Sequence, residues 1–421
     1  MKYAILTFGC RVNQADSLQV EEDLLARGLR PDAPERADLV VVNSCSVTAT
    51  ADQGVRQAVR RVARLNPAAK VVVTGCYATR RPAEVASLPN VLRVVPNQAK
   101  DALVGDLARE LDLTTAEQSG EGEGPCGSPI APGVAGRTAY TLRVQTGCEE
   151  GCAYCVIPAT RGRSLSVPVP RVLGEVTRAA EAGFKEIALT GVHLGSYGRD
   201  LSPATTLASL LEALAAVPGD VTFRISSLEP MDCGDEIVTL VTHEDRFAPH
   251  FHLPLQHASD RMLRLMRRPH TIDQYRRLVD GIRERLPHAA IGSDLIVGFP
   301  GETAEDVDVC ARHLAGLPLT YVHVFPYSDR PGTDASRMAG RPTGADVRAR
   351  GARLRGISAR LSQRFHQAQV GTVRPGLTLE DGSLVVTDNY LKVRIPPGRS
   401  RNERVRVRID AAGPVVSGHV E

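Results

Sequence analysis

The chain has 421 residues, 43% hydrophobic and 24% charged, which excludes wholesale disorder and collagen-like or coiled-coil architecture and predicts two to three domains. A formal charge of +3 excludes a globally basic nucleic-acid binder, so any basic footprint is local. With no Trp, 8 Phe and 9 Tyr, an RNA-binding sheet faced with stacking rings is not expected.

In chain order, residues 3–8, 38–42, 70–74 and 91–95 read as strands, and 16–26, 51–65 and 98–111 as helices. Continuously apolar strands alternating with helices predict a doubly wound parallel α/β domain over 1–114. The pattern then breaks: eleven of the eighteen residues 119–136 are Gly, Pro or Ser, as in a flexible linker, placed at 115–137. Cys126 inside it is read as incidental.

A second alternating series follows. Strands are expected at 140–144, 186–190, 222–226, 250–255, 290–297 and 321–325, with helices such as 172–182, 207–216, 272–285 and 304–314. Six βα units predict a partial (β/α)6 barrel, and with an Arg-studded helix at 345–369 they define a domain over 138–368. Short, turn-punctuated segments at 370–373, 377–380, 383–387, 390–395, 404–409 and 415–420 predict a small OB-like antiparallel β-barrel over 369–421. No apolar run approaches the ~20 residues of a membrane helix. The N-terminus runs into polar sequence rather than a signal peptide, so a cytoplasmic protein without a membrane partner is expected.

Nine cysteines in a reducing compartment point to metal binding or catalysis rather than disulfides. Cys148, Cys152 and Cys155 form a C-x3-C-x2-C loop directly after the first barrel strand. Three thiolates so close can hold three corners of a cubic iron–sulfur cluster and leave one iron open. A structural zinc would want a fourth close ligand, and the next histidine in sequence is His193. Cys10, Cys45 and Cys76 each end a predicted parallel strand, at spacings of 35 and 31 residues. They therefore share the carboxyl edge of one sheet, where such folds place their sites, and can converge on a second cluster.

The C-x3-C-x2-C loop, with aromatic Tyr154 before its last cysteine, resembles the signature of radical S-adenosylmethionine enzymes. Two cysteine triads on an α/β domain and a partial barrel, followed by a small β-domain, resemble the methylthiotransferase family over nearly the whole chain. Matching motifs are Thr7-Phe-Gly-Cys-Arg-Val-Asn-Gln14, Val42-Asn-Ser-Cys-Ser-Val-Thr48, Thr190-Gly-Val-His-Leu-Gly-Ser-Tyr-Gly198, Asp294-Leu-Ile-Val-Gly-Phe-Pro-Gly-Glu-Thr303 and His323-Val-Phe-Pro-Tyr-Ser-Asp-Arg-Pro-Gly-Thr333. The first and third look most like the branch acting on N6-threonylcarbamoyladenosine in tRNA, at position 37 beside the anticodon.

The resemblance implies two [4Fe-4S] clusters and S-adenosylmethionine as both radical source and methyl donor. Cys148, Cys152 and Cys155 would hold the radical-generating cluster, whose 5′-deoxyadenosyl radical activates C2 of the adenine. Cys10, Cys45 and Cys76 would hold an auxiliary cluster carrying the sulfur. The partners it implies are tRNA and an electron donor such as flavodoxin or ferredoxin, with the enzyme a monomer and the sulfur source unspecified. Strand-end residues Thr190, Gly191, Ser227, Glu229, Gly298 and Glu302, together with Tyr154, are candidate cofactor contacts, because carboxyl-terminal strand ends face a barrel's active site.

From 391 to 409 there are seven cations, Lys392, Arg394, Arg399, Arg401, Arg404, Arg406 and Arg408, against Glu403. That region resembles the TRAM RNA-binding module, and Lys392, Arg394, Arg404, Arg406 and Arg408 are candidate phosphate contacts; Arg348, Arg350, Arg353 and Arg355 could extend the stripe. His250, His252, His257 and His323 read as packed or polar-lining. Rival readings are methylthiotransferases acting on isopentenyladenosine-37 or on a ribosomal protein, and, in another class, a noncatalytic metal-stabilised RNA-binding protein.

Overall fold

The computed structural model describes residues 1–111, 131–133 and 137–421. Most of the expected linker, including Cys126, lies outside the described residues.

The N-terminal unit is built from β1 (Lys2–Thr7), α1 (Arg11–Ala26), β2 (Arg30–Pro31), β3 (Leu39–Ser44), α2 (Ala49–Leu65), β4 (Lys70–Gly75), α3 (Cys76–Arg80), α4 (Pro82–Ala86), β5 (Val91–Val95) and α5 (Leu103–Glu110). Its sheet has the order β2-β1-β3-β4-β5, all parallel. Alternate residues of β3 feed two cores, as the two-residue period of a strand dictates. Leu39 and Val41 meet Val20 and Leu24 of α1 and Leu107 of α5, while Val40 and Val42 meet Val55, Val59 and Val62 of α2. The helix expected at 98–111 divides into a 3-10 turn, Asn97–Ala102, and α5; the turn aims Lys100 into a buried ion pair.

The central unit contains β6 (Tyr140–Arg143), β7 (Gln145–Thr146), α6 (Ile157–Arg161), β8 (Leu165–Ser166), α7 (Val169–Glu181), β9 (Glu186–Thr190), α8 (Leu207–Ala215), β10 (Thr222–Ile225), α9 (Asp235–His243), β11 (His250–His252), α10 (Asp260–Leu265), α11 (Ile272–Arg285), β12 (Ala290–Val297), α12 (Ala304–Gly316), β13 (Tyr321–Pro326) and α13 (Gly344–Gln369). Two parallel three-stranded sheets, β10-β9-β6 and β11-β12-β13, meet through the parallel bridges Phe223↔Phe247 and Ser227↔His252. The result is an open six-stranded arc. The strand expected to run to 255 stops at His252, and the chain returns to β12 only at the Gln256↔Leu295 bridge, where Gln256 takes φ 68°. The antiparallel pair β7/β8 ties off the base of the cysteine loop.

Helix α13 opens on a Thr343/Asp346 capping box and buries Leu354, Ile357, Leu361 and Phe365, the helical spacing of one apolar stripe. Ser358 and Ser362 on the same face hydrogen-bond the backbone of Val322 and Thr320. Beyond it, β14 (Val373–Leu379), β15 (Leu384–Thr387), β16 (Lys392–Arg394), β17 (Arg404–Ala412) and β18 (Val416–Val420) close a barrel in the order β14-β15-β16-β18-β17. Two expected segments fuse into β14, and β16 pairs with β18 in parallel while every other pair is antiparallel.

Candidate functional site

Strands β1, β3 and β4 are neighbours, in the register Thr7↔Asn43↔Thr74. Cys10, Cys45 and Cys76 follow their carboxyl ends. Cys10 caps α1, Cys45 lies one residue past β3, and Cys76 opens α3. Gly9 has φ 96°, and a Cβ there would stand 2.5 Å from Cys45 Sγ, so the Cys10 turn lies against the Cys45 side chain. Burial, reinforced by the neighbouring Cys10 and Cys76 thiols, pushes the Cys45 thiol up to about 12. Asn13 fastens the two loops together, its Nδ2 donating to Phe8 O (2.7 Å) and Ser44 O (3.0 Å).

The second triad sits on the loop between β7 and α6. Backbone N–H groups of Glu150 and Ile157 point at Cys148 Sγ (3.4 Å) and Cys155 Sγ (3.5 Å), and Arg268 Nη1 lies 3.4 Å from Cys152 Sγ. Burial pushes the Cys155 thiol up to about 12. Gln145, fully buried, donates to Gly147 O (2.8 Å) and accepts from the His193 N–H (2.8 Å), so it clamps the cysteine loop to the loop after β9. His193 is thereby brought beside Cys148, Nδ1 to Sγ 3.9 Å, with Nε2 on Asp232 (2.7 Å). Burial opposes charge on the imidazole, but Asp232 and Cys148 together raise it to about 10. His193 thus stands as a hydrogen-bond partner of the Cys148 sulfur.

A buried carboxylate links the elements that bear the two triads. Asp16 on α1 is fully buried and accepts from Lys100 (2.7 Å), Arg143 (2.6 Å) and Arg161 (2.9 Å). Burial alone would raise its carboxyl; the three cations hold it well below the usual range. Arg161, six residues beyond Cys155, also donates to Asn13 Oδ1 (2.5 Å). Asn97 Nδ2 completes the bridge, reaching Cys76 Sγ (3.6 Å) and Thr160 O (2.9 Å).

Comparison with known proteins agrees with this layout. Residues 2–96 match Uncharacterized protein family UPF0004 and residues 142–314 match the Radical SAM superfamily. Threonylcarbamoyladenosine tRNA methylthiotransferase MtaB of Aquifex aeolicus (strain VF5) is 35% identical over 97% of this chain and 100% of its own length. The chain belongs to the methylthiotransferase family. Within it the chain falls in the branch of the relatives named MtaB, that of Bacillus subtilis (strain 168) being 34% identical over 93% of this chain and 89% of the relative. A tRNA-2-methylthio-N(6)-dimethylallyladenosine synthase of Cereibacter sphaeroides (strain ATCC 17025 / ATH 2.4.3) is 33% identical over 98% of this chain and 97% of its own. Among solved structures, the radical S-adenosylmethionine methyltransferase TsrM of Kitasatospora setae shares the fold, with TM-score 0.57 and 17% identity over 80% of this chain and 75% of that one.

Membership brings S-adenosylmethionine and [4Fe-4S] clusters as cofactors of this methylthiotransferase, and the donor sets fit them. Among the described residues no three His, Cys, Asp or Glu side chains converge on a single-ion site. A four-iron cluster makes a different demand, because each thiolate bonds an iron at its own corner. The N–H donors aimed at five of the six sulfurs, Cys45 (3.5 Å from Val47 N), Cys76, Cys148, Cys152 and Cys155, are the partners that tune such a cluster.

The remaining expected residues divide. Tyr154 packs edge-on against Phe299 (6.4 Å) and anchors the loop's far end. Glu229 pairs with Arg268 beside Cys152. Ser227 is exposed at the mouth of the arc, whereas Thr190 is buried and a Cβ on Gly191 would strike Gln145 (2.9 Å). Glu302 requires correction as a cofactor contact. Its carboxylate is wholly buried, accepting from the Gly298 N–H (2.9 Å) and Arg350 (2.7 Å) with His257 beside it (3.4 Å), so it braces the Gly298 turn from behind.

The basic stripe divides too. Lys392, Arg394 and Arg406 are exposed and, among the described residues, make no ion pair. Arg408 is held by Glu421. Arg404 is corrected: it donates to Asp220 (2.7 Å), Thr222 (3.0 Å) and Lys185 O (3.0 Å), docking the small barrel on the large one. Arg350 and Arg353, engaged with Glu302 and Asp308, do not extend the stripe. Sequence reasoning missed Gln145, His193, Asp16 and Arg161; only their closeness in sequence to a cysteine or a matched motif could have flagged them.

Proposed function

We propose that this enzyme adds a methylthio group to C2 of N6-threonylcarbamoyladenosine at position 37 of tRNA. The observation that carries this reading is that the elements bearing the two cysteine triads are tied together by one buried ion cluster, Asp16 with Lys100, Arg143 and Arg161, and by Asn97 between Cys76 and Thr160. Cys148, Cys152 and Cys155 hold one cluster and Cys10, Cys45 and Cys76 the other. Bound there, the clusters and S-adenosylmethionine supply a one-electron cleavage that yields methionine and a 5′-deoxyadenosyl radical, together with the sulfur and the methyl group.

The chain's own residues orient and exclude. Gln145 fixes the spacing of the two loops around the radical site. His193 and Arg268 place positive charge beside the sulfurs, which favours the reduced state of a cluster. Tyr154 and Phe299 keep one wall apolar. Lys392, Arg394, Arg406 and Arg408 offer a footprint for phosphates, and chain segments 1–114, 138–368 and 369–421 act as the sulfur, radical and RNA-gripping domains, with 115–137 between them. The bacterial tRNA-modifying relatives support a cytoplasmic setting, and no helix among the described residues is long and apolar enough to cross a membrane. A flavodoxin or ferredoxin as reductant and a monomeric enzyme complete the reading.

The test is mass spectrometry of tRNA nucleosides from a strain lacking the gene. The expected result is loss of the 2-methylthio form with accumulation of N6-threonylcarbamoyladenosine. Loss of a methylthiolated isopentenyladenosine instead would assign the enzyme to the other tRNA branch.

A further inference from the structure

At the carboxyl end of β10 stands a guanidinium that, among the described residues, no acid answers. Arg11, the first residue of α1 and the neighbour of Cys10, reaches out of the N-terminal unit. Its Nη1 donates to Ser226 Oγ at the end of β10 (3.4 Å), and its Nη2 to Tyr390 Oη from the small barrel (2.9 Å). Among the described residues the buried arginines all hold carboxylates: Arg161 has Asp16, Arg224 has Glu186, Arg268 has Glu229 and Arg330 has Asp52. Arg11, half-buried, has two hydroxyls, and among the described residues it makes no ion pair. Hydroxyls satisfy N–H groups without neutralising charge, and a guanidinium has five donors, so some are left over. A partly desolvated, unneutralised cation is unfavourable unless an anion joins it.

The surroundings hold Arg11 in place. Tyr390 sits at φ 66°, a left-handed conformation uncommon for an aromatic residue and kept only where the surroundings impose it. Its ring packs 4.5 Å from the His250 ring with the Arg224 guanidinium 5.0 Å above it. Arg224 itself donates to the backbone carbonyl of Asp388 (2.9 Å). Asn389, next in line, donates to His288 O (2.9 Å) and Gln369 Oε1 (2.9 Å). The small barrel thus does more than offer a basic face: it inserts a side chain into the large one and orients a cation beside Cys10.

The substrate proposed above carries a threonine on N6, whose carboxylate is ionised at neutral pH. A guanidinium matches a carboxylate with two parallel N–H···O bonds. We propose that Arg11 anchors the threonylcarbamoyl carboxylate of the substrate, with Tyr390 and Ser226 as its positioning residues; this rests on the substrate reading of the preceding section. Because Arg11 and Cys10 are consecutive, one turn of backbone would set both the anchor of the modified side chain and the edge of the sulfur-delivery site.

The experiment uses holoenzyme with both clusters and two tRNA substrates, one bearing N6-threonylcarbamoyladenosine and one whose threonyl carboxylate has been converted to the amide. In the wild type the amide should react with kcat/KM about 100-fold lower, as expected where a buried polar group loses its partner. Arg11→Gln should lower kcat/KM for the carboxylate substrate by about 100-fold, chiefly through KM, and leave the amide within about threefold. Arg11→Lys should restore part of the discrimination. Tyr390→Phe should reduce it by about tenfold, the scale of one hydrogen bond to a charged group, without changing the salt dependence of tRNA binding. Equal losses on both substrates, weakened binding of unmodified tRNA by Arg11→Gln, or loss of iron from both Arg11 variants would overturn the proposal. If wild-type enzyme fails to methylthiolate N6-threonylcarbamoyladenosine at all, the substrate reading fails instead, and that outcome is visible before any variant is compared.

Discussion

In the large barrel three thiols lie within eight residues and ride on one loop; in the N-terminal sheet three thiols come from three strands, 35 and 31 residues apart. The loop needs little more than its own backbone and the clamp of Gln145 to bring its thiols together. The sheet site needs every strand pairing from β1 to β4 to be in register, because a slip of one residue would turn a thiol to the opposite face. One site is thus a local property of the sequence and the other a property of the whole domain. The fold couples them through the buried Asp16 carboxylate and, beside it, Asn97.

The largest expected effect separates their chemistry. Cys148→Ala should abolish reductive cleavage of S-adenosylmethionine, while Cys45→Ala keeps cleavage and loses the methylthiolated product. Chromatography of 5′-deoxyadenosine alongside nucleoside mass spectrometry reads both, and equal loss of cleavage in the two variants would erase the division of labour. Next comes the coupling. Asp16→Ala leaves Lys100 and Arg161 buried without a counter-ion, which should destabilise the protein by about 3–5 kcal/mol. Urea unfolding measures this, and iron should fall at both sites together; loss at only one would mean that the sites are held independently.

A smaller effect sharpens the contrast. Gly75 (φ 96°) and Gly147 (φ 75°) turn the backbone beside each triad, and a Cβ would meet Ser44 O at 2.3 Å or Arg163 O at 1.8 Å. Gly75→Ala and Gly147→Ala should each cost about 1–3 kcal/mol and reduce iron from two clusters toward one. Only Gly147→Ala should lose S-adenosylmethionine cleavage. The smallest effect lies on the surface. Lys392→Gln with Arg406→Gln should flatten the salt dependence of tRNA binding by roughly 0.7–0.9 per lost contact. Arg404→Gln should instead lower the melting temperature, since its partners are Asp220 and Thr222. An unchanged salt slope in the double variant would remove the stripe from the RNA interface.

Much of this was legible in the sequence for physical reasons. Apolar runs in β3, β4 and β12 mark buried parallel strands, so the element order and the open arc could be read directly, and α11 and β9 begin and end where periodicity puts them. The cysteines could be read because strand ends and short loops are set by local pattern. What could not be read depends on meetings across the fold. Glu302 looks like a mouth residue in sequence, yet Arg350 arrives from α13 to bury it. Arg404 continues an alternating surface strand, yet Asp220 stands opposite. His193 lies 45 residues from Cys148, and only the clamp of Gln145 brings them together.

Asp16 also bears on how such a protein can be assembled from parts. Its charge is balanced by Lys100 from its own unit and by Arg143 and Arg161 from the next. A recombination that placed this N-terminal unit on a foreign barrel would leave Asp16 with one cation in place of three. The donor barrel would keep two arginines facing an empty seam. Exchange of one lobe alone is therefore unfavourable unless the new partner brings matching cations.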